Sequence, residues 1–224
     1  MKRLITMALM AIATVAMAND HGDAILEIGL RSSYFQLHDS TRGPDNHFLG
    51  SLDELIEKQN YVPLPFVNIR FGKYWALGLG YEEMRARTWS RPDSVDGEIG
   101  HSDGTIEVSG PWISIQCYYP NRSRYTPFAE AGLLLYNAHF DHLDAWRNAR
   151  GDVNSHILDI DDENGYRLGL GCDITLTEDW SLVVTVERTY LEVDATYYLY
   201  GDVADEVVFP LDNTRYGIGV KGRL

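Results

Sequence analysis

Between Glu163 and Val193 the chain alternates apolar residues with polar or small ones at a period of two. Tyr166, Leu168, Leu170, Cys172, Ile174 and Leu176 fall on one side, and Arg167, Gly169, Gly171, Asp173 and Thr175 on the other, which is the geometry of a strand. After the polar turn Thr177, Glu178, Asp179, the residues Trp180, Leu182, Val184 and Val186 continue the apolar side against Ser181, Val183, Thr185 and Glu187. The unit reads as a β-hairpin. In a soluble sandwich the apolar side would meet a second sheet, but here the other side carries charges among glycines and aromatic residues bracket the apolar run. That pattern belongs to a membrane barrel, with lipid outside, a polar lumen inside and aromatics at both interfaces.

The same alternation recurs over residues 24–37, 61–71, 75–89, 105–119, 125–140 and 213–224, with the second arm of the hairpin extending toward Leu199. The connections are alternately long and short. His38–Asn60, Ser90–Gly104, Asp141–Asp162 and Tyr200–Asp212 read as long loops, while Gly72–Tyr74, Pro120–Arg124 and Thr177–Asp179 read as tight turns. Eight strands joined this way predict an all-β fold, an eight-stranded antiparallel up-and-down transmembrane β-barrel with four long extracellular loops, and an even count leaves no sheet edge open. Within the loops, SLDELIEK has Ser51 as N-cap and Glu54 at the capping-box position of one or two helical turns, and HLDAWRNAR suggests another short helix. Gly110 and Pro111 suggest a β-bulge.

The alternation assigns sides. Glu27, Arg31, Phe66, Arg70, Glu82, Phe128, Glu130, Leu134, Arg167 and Glu187 are predicted to line the lumen, with Asp173, Lys221, Tyr136 and Val183 beside them. Tyr34, Tyr61, Tyr81, Tyr166, Tyr190 and Tyr216 are predicted to mark the outer aromatic girdle, and Phe71, Trp75, Tyr119 and Trp180 the inner one.

The N-terminus fits export. Lys2 and Arg3 precede an apolar run, Leu4 to Val15, too short to span a bilayer, and Ala16-Met17-Ala18 is an A-x-A cleavage signal. Residues 1–18 therefore read as a signal peptide and 19–224 as the barrel, the alternative being an N-terminal strand or anchor. Without Lys2 and Arg3 the chain has 17 basic against 33 acidic residues, a formal charge of −16, and the four long loops hold −14 of it. Nucleic acid is excluded as a partner by this balance, since phosphate contacts need clustered Lys and Arg. Cys117 and Cys172 fall on outward faces of strands separated by a third, roughly 10 Å apart. A bridge requires less than about 7 Å, so two free thiols are expected.

Two readings of the interior compete. An eight-stranded barrel is just wide enough for side chains to fill it, which gives a salt-bridged plug. Alternatively Phe66, Phe128, Leu134, Tyr136 and Val183 line a path for a hydrophobic solute that enters at the outer end and leaves through the wall. The acidic loops act either as a solvated surface or, at Asp159, Asp161, Asp162 and Glu163, as oxygen ligands for divalent cations bridging to lipopolysaccharide. DIDDEN lacks the spacing and glycine of an EF-hand loop. His139, Asp141, His142 and Asp144 have metal-ligand chemistry without evident convergence. Ser102 beside His101 and Ser155 beside His156 are neighbours without a third orienting group, and no G-x-S-x-G occurs. No enzyme activity and no cofactor are expected.

The segments YTPFAEAGLLLY (125–136) and TEDWSLVVTVERTYLEVDATYY (177–198), with the RYGIGVKGRL ending, resemble the OmpW family of small outer-membrane barrels. The resemblance implies an eight-stranded monomer in the bacterial outer membrane, surrounded by outer-membrane lipids and lipopolysaccharide, and passive passage of small, mainly hydrophobic solutes. The chain departs from the usual pattern by ending in Leu224, where an aromatic residue normally closes the assembly signal. OmpA-like and OmpX-like barrels are the alternative families, and a closed structural barrel acting through its acidic loops is the alternative function.

Overall fold

A computed structural model describes residues 24–38, 51–55, 64–90, 101–148 and 153–224. The predicted signal peptide and Tyr61 lie outside the described residues, as does most of the first two long loops. The strands are β1 (Ala24–Leu37), β2 (Ser51–Leu55), β3 (Leu64–Phe71), β4 (Trp75–Ser90), β5 (His101–Tyr118), β6 (Tyr125–His142), β7 (His156–Ile160), β8 (Glu163–Thr175), β9 (Trp180–Tyr190), β10 (Glu192–Leu199), β11 (Asp202–Pro210) and β12 (Asn213–Arg223). Among the described residues one helical turn, α1, spans Asp144–Arg147.

Eight of these strands close into an antiparallel ring in the order β1, β3, β4, β5, β6, β8, β9, β12, with β12 returning to β1. Closure leaves the ring without an edge strand, which is what a sheet needs in hydrocarbon. The barrel is apolar on the outside: Ile28, Leu30, Ile115, Leu133, Leu168, Leu170, Val186 and Ile218 are exposed, while Arg167 and Arg215 are the largest fully buried side chains. This inverts the layout of a soluble protein and fits a lipid surround. The girdle residues Tyr34, Tyr81, Tyr166, Tyr216, Trp75 and Trp180 are exposed on the outer wall, and Tyr190 stacks on Tyr166 at 4.7 Å. Cys117 and Cys172 are free.

The structure differs from the sequence expectations mainly above the outer girdle. Ser51–Leu55, expected as helix, forms β2 against the upper end of β4. Short pairing to an existing strand satisfies more backbone groups than an isolated helical turn, which is costly to nucleate. Tyr200–Asp212 is not a loop: β10 and β11 form a hairpin around Tyr200 (φ 54°) and Gly201 (φ 90°), the left-handed pair that matches strand twist. The segment Asp141–Asp162 contains α1 and β7, and β7 joins β10 and β11 in a separate three-stranded sheet. The strand expected to run to Leu199 breaks at Leu191. No register shift occurs at Gly110 and Pro111; the irregularity sits between Thr88 and Trp89, where Asp103 is the extra residue on β5.

The small sheet continues three adjacent wall strands. β7 leads into β8 through Asp161 and Asp162, β9 into β10 through Leu191, and β11 into β12 through Leu211 and Asp212. The breaks at Leu191 and at Leu211 and Asp212 lie side by side, since Leu211 N–H donates to the Leu191 carbonyl at 2.8 Å and Leu191 N–H to the Asp212 carboxylate at 3.0 Å, while the third sits further up, where Asp161 N–H donates to the Asp194 carbonyl at 2.9 Å. The sheet's inner face, including Leu158, Val193, Tyr197, Val207 and Phe209, packs into one apolar core with Phe35, Met84, Ile106, Val108, Phe140 and Trp146 from the other walls.

Candidate functional site

All the residues predicted to line the lumen face the interior, but they sort by height into different chemistries. Period-two alternation puts each on the inside, and strand register sets its level. Near the short turns, Glu27, Arg70, Asp173 and Lys221 form a four-membered ionic layer. Lys221 reaches Glu27 at 2.7 Å and Asp173 at 2.5 Å, while Arg70 reaches Asp173 at 3.1 Å and Glu27 at 3.7 Å. The Tyr118 ring lies 4.0 Å from the Arg70 guanidinium carbon. Two cations face two anions, so the layer is neutral.

A second layer stands above it. Arg167 Nη1 contacts Glu82 at 3.0 Å and Glu187 at 3.2 Å, and its Nε lies 3.6 Å from Glu130. Arg31 pairs with Glu187, and Arg215 with Glu82. Trp112 sits between the Arg31 and Arg167 guanidiniums, with its ring centre 5.5 and 4.7 Å away. Three cations face three anions, so this layer is also neutral. The layers are joined: Tyr118 donates to Gln116 at 2.7 Å, and Gln116 donates to Glu130 at 3.1 Å.

Sequence reading missed Arg215, which the outward placement of its neighbour Tyr216 would have put inside. It also missed Trp112, inward by the same rule from Ile113. Phe66 and Phe128 are buried among the ionic groups' neighbours, Phe128 packing on Tyr118 at 5.0 Å, and Leu134 joins the apolar core.

The upper layer ends in a polar floor. The Tyr136 hydroxyl donates to Glu82 and accepts from Arg215 Nη2 at 3.1 Å. Above this floor the interior changes character to the apolar core enclosed by the three-stranded sheet. At the same level the wall is interrupted. β5 and β6 pair at Ser109 with Asn137 and at Trp112 with Leu134, yet Gly110 and Pro111 between them make no ladder pairs. Proline has no N–H to give, and the Leu135 carbonyl lies against Gly110, where a Cβ would collide with it. Pro111 faces Tyr81 across the other ladder, which fixes this lapse at the height of the outer girdle and next to Glu82.

The other candidate chemistries do not assemble. His139 pairs with Glu107 on the outer wall at 3.1 Å, and Glu107 in turn with Arg85 at 2.5 Å. His142 accepts the Leu158 N–H at 2.8 Å. Among the described residues no three His, Cys, Asp or Glu side chains are placed to hold a metal. Ser102 donates to the Gly104 carbonyl, and Ser155 contacts His156 Nδ1 at 2.9 Å within a buried position.

The OmpW family model matches residues 86–223. None of the curated proteins matches the chain. Among solved structures, the outer membrane protein OprG from Pseudomonas aeruginosa is 16% identical, with a TM-score of 0.64 over 91% of this chain and 96% of that one. The E. coli outer membrane protein W is 16% identical, with a TM-score of 0.57 over 91% of this chain and 100% of that one. AlkL, solved in DMPC bilayers, is 17% identical, with a TM-score of 0.54 over 91% and 90%. At these identities the likeness to the solved structures is one of fold.

Proposed function

The chain belongs to the OmpW family of outer-membrane barrels, and on that premise we propose that it passes small hydrophobic solutes from the outside into the membrane, entering at the apolar outer interior and leaving sideways through the wall. The observation that carries this reading is a coincidence of height. The break in the β5–β6 ladder at Gly110 and Pro111 lies where the apolar core meets the ionic floor of Glu82, Arg215 and Tyr136. A solute descending through the apolar part meets salt-bridged charges below it, which it has no means to solvate, and wall backbone without ladder pairs beside it. Sideways transfer delivers it into lipid without crossing water.

The two neutral layers support the same direction of travel. Ions crossing along the axis would have to displace buried salt bridges in both, and no catalytic step or cofactor enters the proposal. The alternative is a closed barrel that acts only through its surface, and it predicts no transfer at all. The test is the rate at which a sparingly soluble fluorescent probe moves from an aqueous carrier into vesicles that contain the refolded barrel, compared with empty vesicles. Faster transfer without ionic conductance is expected. Equal rates, from a barrel shown to be folded by its heat-shifted gel mobility, would leave the closed barrel as the better reading.

A further inference from the structure

The wall strands β6 and β8 pair up to Tyr136 and Glu163. Above that point the upper end of β6 pairs with β5 and β7 pairs with β10, so the two sheets that enclose the apolar interior face each other across a seam without a backbone ladder. Side chains stitch it. The Ala138 N–H donates to the Asp162 carboxylate at 3.0 Å, and the Leu158 N–H donates to Nε2 of His142 at 2.8 Å. The imidazole is stacked on Trp146 at 5.7 Å and 22°, and Trp146 lies 5.3 Å from His156 of β7 and 6.0 Å from Tyr197 of β10. The first stitch therefore holds the wall to the β7–β8 connection and the second holds it to β7, in a sheet joined to the barrel only through breaks of one or two residues.

We infer that this seam is an acid-opened door to the apolar interior, and that His142 is its latch. Nε2 accepts a hydrogen bond only while the ring is neutral. Protonation puts an N–H where the Leu158 N–H already points, and the contact becomes repulsive. The groups that face the ring are Arg147 from α1, Asp141 on its own strand, Asp159 from β7 and the Phe140 backbone. Asp103 of β5 lends its carbonyl to the Leu143 N–H beside it, and His156 and Tyr197 lie behind Trp146. His142 stands beyond the outer girdle, where burial first and Arg147 second hold it below the usual histidine range, against the pull of Asp141. A histidine depressed in the folded state stabilises the closed seam above its unfolded value of about 6.5 and stops doing so as pH falls below that. The door is shut at neutral pH and released in acid.

The role of the door rests on the solute reading above, whereas the latch does not, and two measurements separate them. The first is amide hydrogen exchange of Ser155–Ile160 in the refolded barrel, expressed as protection relative to the intrinsic rate at each pH. Protection at Leu158 is expected to fall about tenfold or more between pH 7.5 and 5. In His142→Gln, whose carbonyl accepts at any pH, it should stay high at both. In His142→Phe, which keeps the ring but not the acceptor, it should be low at both. Protection that ignores pH in the wild type, or falls equally in the Gln variant, overturns the latch. The second is the vesicle transfer rate, expected to rise in acid for the wild type and to be raised at neutral pH for the Phe variant. A latch that opens with no gain in transfer rejects the seam as a door.

Discussion

Arg167 has no exposure, and its guanidinium meets Glu82, Glu130 and Glu187 at once. Arg167→Met would leave those three carboxylates with only Arg31 and Arg215 as counter-ions, at positions buried from bulk solvent. Removing one partner of a buried ion pair costs about 3–5 kcal/mol, much of it the desolvation of the charge left behind. The urea midpoint of the vesicle-refolded barrel, read by gel mobility, should fall accordingly, and an unchanged midpoint would mean that the carboxylates share protons instead of charge. Arg167→Lys keeps the charge but not the planar fork, and should fall between the two. The inward side of Arg167, Glu82 and Glu187 was readable from alternation alone, because one step along a strand reverses a side chain. Their partnership was not, since height depends on the stagger between strands that are far apart in sequence, such as the 133 residues that separate Glu82 from Arg215.

At the scale of elements, the lapse at Gly110 and Pro111 is a local gap in the β5–β6 ladder. Pro111→Ala returns an N–H to the ladder opposite Leu135 and should raise stability by about 1 kcal/mol. On the lateral-exit reading it should also slow probe transfer, while faster transfer would move the exit elsewhere. Gly110→Ala should do the opposite to stability, because its Cβ runs into the Leu135 carbonyl. The sequence marked this dipeptide as irregular, but it suggested an inserted residue, whereas the strands keep register and lose only their hydrogen bonds. The hairpin of β10 and β11 was legible in principle: Val193, Ala195 and Tyr197 alternate toward Tyr200-Gly201, and Val207 and Phe209 resume beyond it. Its acidic residues masked the signal, because a sheet that stands in water on one face carries charge there just as a loop does.

For the whole molecule, the decisive property is that two neutral ionic layers block the axis in series, joined through Tyr118 and Gln116. Seals in series have a consequence that one plug would not. Opening either layer alone leaves the other intact, so Arg70→Ala and Arg167→Ala should each give a barrel that folds with reduced stability and stays silent in a planar bilayer. The double variant removes a cation from both layers, leaves net negative charge along the axis, and should show cation-selective openings. Because the two positions belong to different layers, their effects on stability should be closer to additive than their effects on conductance, which appear only together. Openings from Arg70→Ala alone would place the seal entirely in the lower layer. Openings from the wild type would mean that ions find a path past both, and the sideways route would then lose the argument that nothing else is open to a solute.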